Sequence, residues 1–113
     1  MLIPATTHEV YQLEANLCYA FVDPTRILIL YALNKRPHSV TELTQHLQTN
    51  QPKVSRHLKV LRDLGMVRIT RQGTTVIYEL ADYRLIEVLD ILRGVLRDSV
   101  TDKASLLTEL QIE

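Results

Sequence analysis

Residues 39–61 read SVTELTQHLQTNQPKVSRHLKVL, and this stretch decides the fold. Ser39 is followed three residues later by Glu42, the spacing of a reciprocal capping box, so a short helix is expected from there to about Leu47. Gln48, Thr49 and Asn50 leave room only for a tight turn. Asn50 can cap a second helix, and Pro52 is tolerated in a first helical turn because its missing N–H would have no partner there. Val54, Leu58 and Leu61 recur at i, i+4 and i+7 and make one inner stripe of a helix over 51–64, which Gly65 ends. The stretch is thus two short helices joined by a three-residue turn.

Downstream the period changes from helical to alternating. Val67 and Ile69, then Val76, Tyr78 and Leu80, alternate with Arg68, Thr70, Ile77 and Glu79 around Arg71-Gln72-Gly73-Thr74. That is one β-hairpin, and a lone hairpin needs helices to cover its inner face. Upstream, Val10, Leu13, Leu17 and Phe21 mark an amphipathic helix over 9–22. Asp23-Pro24 closes it and opens a second helix over about 24–34, apolar almost all round and so expected at the centre. Beyond the hairpin, Leu85, Leu89, Leu92 and Leu96, broadened by Val88, Ile91 and Val95, predict a long helix over 82–98. The tail, 99–113, carries Leu106, Leu107 and Leu110 and could add a short helix. The pattern is mostly α with one β-hairpin (α+β): four helices, a hairpin and a fifth helix, the order of a winged helix-turn-helix. Residues 1–113 are read as a single such domain. The apolar band on the last helix is too wide for one small core and calls for a second copy of the chain.

The composition agrees and excludes several classes. The chain has 113 residues, 46% hydrophobic, with three Gly, four Pro and no Trp, which suits a helical domain better than a β-sandwich. The longest apolar run, Ile27 to Leu33, is far short of a membrane span, and the first residues lack the basic start of a secretory signal. The cytoplasm is the expected address and no membrane partner is expected. The net charge of zero hides an asymmetry: residues 51–81 hold six Lys and Arg against two Asp and Glu, while both flanking segments are net acidic. A basic centre between acidic ends suits one face turned to a polyanion.

In a winged helix-turn-helix the second helix of the pair enters the DNA major groove. Opposite the apolar stripe lie Gln51, Ser55, Arg56 and Lys59, flanked by Lys53, His57 and Arg62. Gln can bond adenine through two contacts, Arg can bond guanine in the same way, and Ser can bond either. Lys59 and Arg62 reach towards phosphates, while Arg68, Arg71, Gln72 and Gly73 belong to the wing. The plain alternative is a solvated polar helix face.

Asp23-Pro24-Thr25-Arg26, Ser39-Val40-Thr41-Glu42-Leu43 and Gln51-Pro52-Lys53-Val54-Ser55-Arg56-His57-Leu58-Lys59-Val60-Leu61 resemble the ArsR/SmtB family of prokaryotic repressors. Arg71-Gln72-Gly73 followed by Val76-Ile77-Tyr78-Glu79-Leu80 resembles that family's wing. The resemblance implies a homodimeric repressor on a palindromic double-stranded operator, with the first and last long helices as its interface. Val10, Leu13, Leu17, Leu85, Leu89, Leu92 and Leu96 would line that interface. Gln51, Ser55 and Arg56 match positions at which the family touches DNA. Gln48 stands where the family commonly has Gly.

Neither common metal site of the family is legible. The segment 39–43 has no thiol, and the last helix offers Asp82, Arg84, Val95 and Asp98 where paired carboxylates and histidines would be needed. No metal and no cofactor are expected. His8, His38, His46 and His57 are scattered and read as surface or capping residues, His57 also lying on the DNA-reading helix. Cys18, the one cysteine, reads as a small packing residue with a thiol redox switch as its alternative. Enzyme chemistry finds no support: Ser55 and His57 are two apart on a helix and face different sides, and three separated glycines form no phosphate loop. A winged helix serving only protein contacts would show exposed apolar residues on helix 51–64, where Gln51, Lys53, Ser55, Arg56 and Lys59 stand instead.

Overall fold

The structure, a computed structural model, describes residues 4–112, with side chains for 4–100, 107 and 108. It separates into two units, one ending at Tyr83 and one starting at Arg84.

Helix α1, Thr7–Gln12, starts two residues before the expected helix because Thr6 and Glu9 form a capping box. Helical winding then widens into a π-helical segment, Leu13–Cys18, in which the Tyr19 N–H reaches back five residues to the Glu14 carbonyl. The wider turn rotates everything after it, so Val10, Leu13, Leu17 and Phe21 do not form the straight stripe their spacing predicts. Helix α2, Pro24–Lys35, opens on Asp23, whose Oδ1 accepts the Thr25 N–H at 2.8 Å. It buries Ile29, Leu30, Ala32 and Leu33, as a central helix should.

Arg36 is fully extended and leads into β1, His38–Ser39. This strand is not expected from the sequence. It pairs antiparallel with β3, Thr75–Leu80, placing His38 opposite Tyr78 and Ser39 opposite Ile77. The sheet is therefore three-stranded, and β1 covers part of an edge that a lone hairpin would leave unpaired. Strand β2, Val67–Gln72, pairs with the other side of β3 through a two-residue turn, Gly73-Thr74. Positive φ at Gly73 alone among the turn's central residues fits a type II′ turn, whose twist matches the strands.

Helix α3, Val40–Leu47, and helix α4, Gln51–Asp63, are joined by Gln48, Thr49 and Asn50. Gln48 adopts the left-handed conformation, φ 52° and ψ 48°. Past α4, the Gly65 N–H donates to the Arg62 carbonyl and the Met66 N–H to the Leu61 carbonyl, each at 2.9 Å. With Gly65 at φ 76° this is a Schellman stop, as its position predicts. Leu43, Val54, Leu58, Leu61, Met66 and Val67 join the α2 residues in the core.

The second unit is one helix, α5, Arg84–Ile112. The expected end at 98 with a separate tail is not what forms. Residues 99–112 contain neither Gly nor Pro, so nothing stops the helix once it has passed Gly94. Among its described side chains Ile86 and Leu89 are buried, whereas Val88, Ile91, Leu92, Val95, Leu96, Val100 and Leu107 are exposed. The side chains of Leu106 and Leu110 lie outside the described residues.

Candidate nucleic-acid interface

Helix α4 is fixed both in where it starts and in how it is rotated. Asn50 Oδ1 accepts the Lys53 N–H at 2.9 Å and fixes where the helix starts. On the inner side Val54, Leu58 and Leu61 are completely buried and fix its rotation. That rotation leaves Gln51, Ser55, Arg56 and Lys59 exposed and Lys53 half-buried, as the spacing predicts. Gln51, Ser55 and Lys59 succeed one another at intervals of four and so share one face.

Charge is tempered at two of these positions. Lys59 Nζ sits 3.3 Å from Asp63 Oδ2 on the next turn, with both side chains largely exposed. Arg68 Nε lies 3.6 Å from Glu79 Oε1, its cross-strand neighbour. Exposed pairs of this kind are worth about 0–1 kcal/mol, so a phosphate can displace either carboxylate. Arg71, Gln72 and Gly73 are exposed at the tip of the hairpin.

His57 departs from its expected place. Its side chain is only 12% exposed and turns inward, not onto the face with Gln51 and Ser55. The ring accepts a hydrogen bond at Nδ1 from Arg26 Nε, 3.1 Å away, and its Nε2 stands 3.6 Å from Asp23 Oδ2. Burial holds its pKa below the ordinary 6.5, against the opposing pull of the Asp23 carboxylate. Asp23 is itself held below the usual carboxylate range, first by the Thr25 backbone N–H and also by His57 and Lys53. The sequence pattern marks Asp23 only as a cap and offers Arg26 no partner. The available signal is Arg26 itself, a charged residue just ahead of the apolar run 27–33, which must find acceptors when that run is buried.

His38 is also not a surface residue. It is 6% exposed, and its Nδ1–H donates to the Arg36 carbonyl at 2.7 Å. Its ring stands 6.0 Å from that of His46, which is exposed. Glu42 is lowered in pKa by the Ser39 backbone N–H and then by Arg36, 2.9 Å away. Among the described residues no three of His, Cys, Asp and Glu are grouped to hold a metal ion. Cys18 is exposed on the π-helical segment. An open cavity of about 490 Å³ lies at the base of the wing, lined among others by Leu33, Arg36, Arg68, Glu79 and Tyr83, and α4 contributes nothing to it. Among the described residues no helix is long and apolar enough to cross a membrane.

Comparison with known proteins agrees with this geometry. Residues 23–68, from the Asp23 cap into β2, match the bacterial regulatory protein arsR family. The HTH-type transcriptional repressor SmtB of Mycobacterium tuberculosis is 37% identical over 81 residues, 72% of this chain and 60% of SmtB. The chain likewise spans 63% of the M. tuberculosis regulator NmtR. The HTH-type transcriptional regulator Rv0081 of the same organism is 33% identical over 102 residues, 89% of this chain and 90% of Rv0081. The crystal structure of Rv0081 superposes with a TM-score of 0.75, covering 84% of this chain and 96% of that one. NolR from Sinorhizobium fredii follows at 27% identity, a TM-score of 0.70, and 83% and 96% coverage. With a winged helix-turn-helix in place, and a relative matched over nine-tenths of its own length, the chain belongs to the ArsR family of bacterial regulatory proteins.

Proposed function

We propose that this chain is a sequence-specific DNA-binding transcriptional repressor that works as a homodimer on a palindromic operator. The observation that carries the reading is the division of α4 into a sealed apolar side and an exposed side bearing Gln51, Ser55, Arg56 and Lys59. A helix used for protein contacts would expose apolar groups there; this one offers donors and acceptors matched to base edges and phosphates. Gln51, Ser55 and Arg56 read bases. Lys53, Lys59, Arg68, Arg71 and the Gln72-Gly73 tip hold the backbone. Two copies of α4 then enter successive major grooves about 34–36 Å apart. Val10, Leu13, Leu17, Leu85, Leu92 and Leu96 supply apolar surface to the dimer; Val10 is 50%, Leu13 49%, Leu92 54% and Leu96 66% exposed in the single chain. Leu89, 5% exposed, has less to contribute than its position in the stripe suggests.

No metal site and no catalytic role are part of the reading. With the third-helix segment lacking a thiol and Arg84 placing a cation at the start of α5, neither family metal site can assemble. The test is titration of duplex DNA from upstream of the chain's own gene over a range of salt. The expected result is binding that weakens steeply with salt and prefers that duplex over a shuffled one. Zinc titration belongs beside it, and stoichiometric zinc that releases the DNA would overturn the reading that no metal is sensed.

A further inference from the structure

We propose that Arg26 is a positioning residue for α4, tying the reading helix through His57 to the carbonyl end of the N-terminal helical segment, and that a second proton on His57 opens this tie. The inference rests on the proposed DNA-reading role of α4.

Arg26 is the hub of three contacts. Its Nη1 donates to the Tyr19 carbonyl at 2.8 Å, its Nε donates to His57 Nδ1 at 3.1 Å, and its guanidinium carbon stands 4.9 Å from the centre of the Tyr19 ring. A guanidinium has donors and no acceptor. His57 Nδ1 must therefore present its lone pair, and the single proton of the neutral ring sits on Nε2, facing Asp23 Oδ2 at 3.6 Å. Asp23 spends its other oxygen on the first turn of α2. One imidazole thus joins the residue after the π-helical segment, the start of α2 and the middle of α4. His57 follows Arg56 directly and lies two residues from Ser55, so the contact that fixes its ring also fixes the turn that carries two base-reading side chains.

The joint has a defined way to fail. A second proton on His57 goes to Nδ1, where it points at the Arg26 N–H, and two donors cannot bond each other. The ring's neighbours are Asp23 at Nε2 and Arg26 at Nδ1, and the positive charges of Lys53 and Arg56 on its own helix also act against a second proton: three cations against one carboxylate. Burial first, and then the cations, keep the ring neutral against the pull of Asp23, so the tie is closed at neutral pH and opens on the acid side.

The test measures, on the full chain, the ratio of affinity for its upstream duplex to affinity for a shuffled duplex, at about pH 7.5 and at an acid pH below the His57 titration followed by imidazole NMR. Using a ratio removes the general gain in DNA affinity that acid gives any protein. For the wild type the ratio should fall about tenfold on acidification. His57→Gln, which keeps an acceptor and an amide donor but cannot titrate, should hold its ratio constant. Arg26→Lys keeps the charge but cannot serve Tyr19 and His57 together, and should lose about tenfold already at about pH 7.5. A purely structural role would lower the melting temperature and leave the pH profile as it was. Imidazole nitrogen NMR on the DNA-free wild type should show the Nε2–H tautomer; an Nδ1–H tautomer overturns the inference. So does an Arg26→Lys chain with the wild-type ratio at both pH values, even though the wild type reads its duplex. If the wild type itself shows no preference for that duplex, the reading role of α4 falls first and this inference with it.

Discussion

In α4 the apolar residues Val54, Leu58 and Leu61 are each 0% exposed, whereas in α5 Ile91, Leu92, Val95 and Leu96 are 54–67% exposed. Both helices carry apolar residues at helical spacing, so periodicity alone does not separate them. What separates them is completeness. The stripe of α4 is narrow, three residues, and the α2, α3 and hairpin residues around it fill the other side. The band on α5, residues 88, 91, 92, 95 and 96, follows i, i+3, i+4, i+7 and i+8, and each of these side chains is exposed. Each such side chain stands to gain about 1.5–3 kcal/mol on burial. Five such side chains exposed together are what the proposed dimer would cover, while the stripe of α4 is already covered by its own unit.

The sharpest way to break the contrast is to place a charge in each band's logic. Leu92→Glu sits at an exposed position in a helix that glutamate tolerates well, so the monomer fold should survive. The buried charge would then fall only on the dimer, where an unpaired carboxylate is strongly unfavourable. Sedimentation should show a folded monomer, and DNA binding should be lost. A Leu92→Glu chain that remains dimeric would show that this band is not the interface. Leu58→Ala is the counterpart. It should cost about 2–5 kcal/mol by denaturant titration, independent of protein concentration, because its cavity lies within one chain.

Next in size come the exposed residues of α4 and the wing. Arg56→Ala should cost about 1–3 kcal/mol and relax preference at one base position in each half-site. Arg71→Ala should weaken all duplexes alike and flatten the salt dependence, since its exposed place at the hairpin tip offers only phosphate contact. Equal loss of specificity from both substitutions would erase the division between reading helix and positioning wing.

The same contrast explains what the sequence could and could not disclose. Caps and stops are local: Ser39 with Glu42, Asn50, Pro52 and Gly65 each act within four residues, and all are found where their spacing puts them. The inner stripe of α4 is legible for the same reason. The strand at His38 is not, because its reason lies forty residues away in the unpaired edge of β3. The inward turn of His57 needs Asp23 and Arg26, more than thirty residues upstream, and no periodicity links them. The π-helical segment breaks a stripe that looks regular, and α5 outruns its stripe because no breaker comes after Gly94.

His57 also gives the α4 side a pH signature in stability. Its folded pKa lies below 6.5, so just under that value the unfolded chain binds more protons than the folded one. Stability is full above about pH 6.5 and declines as the pH falls towards the folded pKa. His57→Gln should remove this part of the slope in thermal melts. Asp23 acts lower, its contribution being present above the ordinary 3.8 and lost as the pH falls through its lowered folded value. A wild-type stability that rises on acidification from neutral pH would contradict the inward placement of the ring.

The smallest expected effect is at Gln48. Its left-handed backbone is the only positive φ at a non-glycine residue among the described residues. Such a conformation costs about 1–2 kcal/mol for a residue with a Cβ, and it persists because α3 and α4 pack on either side of it. Gln48→Gly removes that strain but adds freedom to the unfolded chain, worth about 0.4–1 kcal/mol in the other direction. The net should be a gain of between about 0 and 1.6 kcal/mol in denaturant unfolding. Because the strain lies in the turn between α3 and α4, both in the unit that ends at Tyr83, the gain should appear equally at every protein concentration, with the dissociation constant of the proposed dimer unchanged. A gain that grows with dilution would mean that the turn is coupled to association, and that holding α4 still and pairing through α5 are not separate tasks.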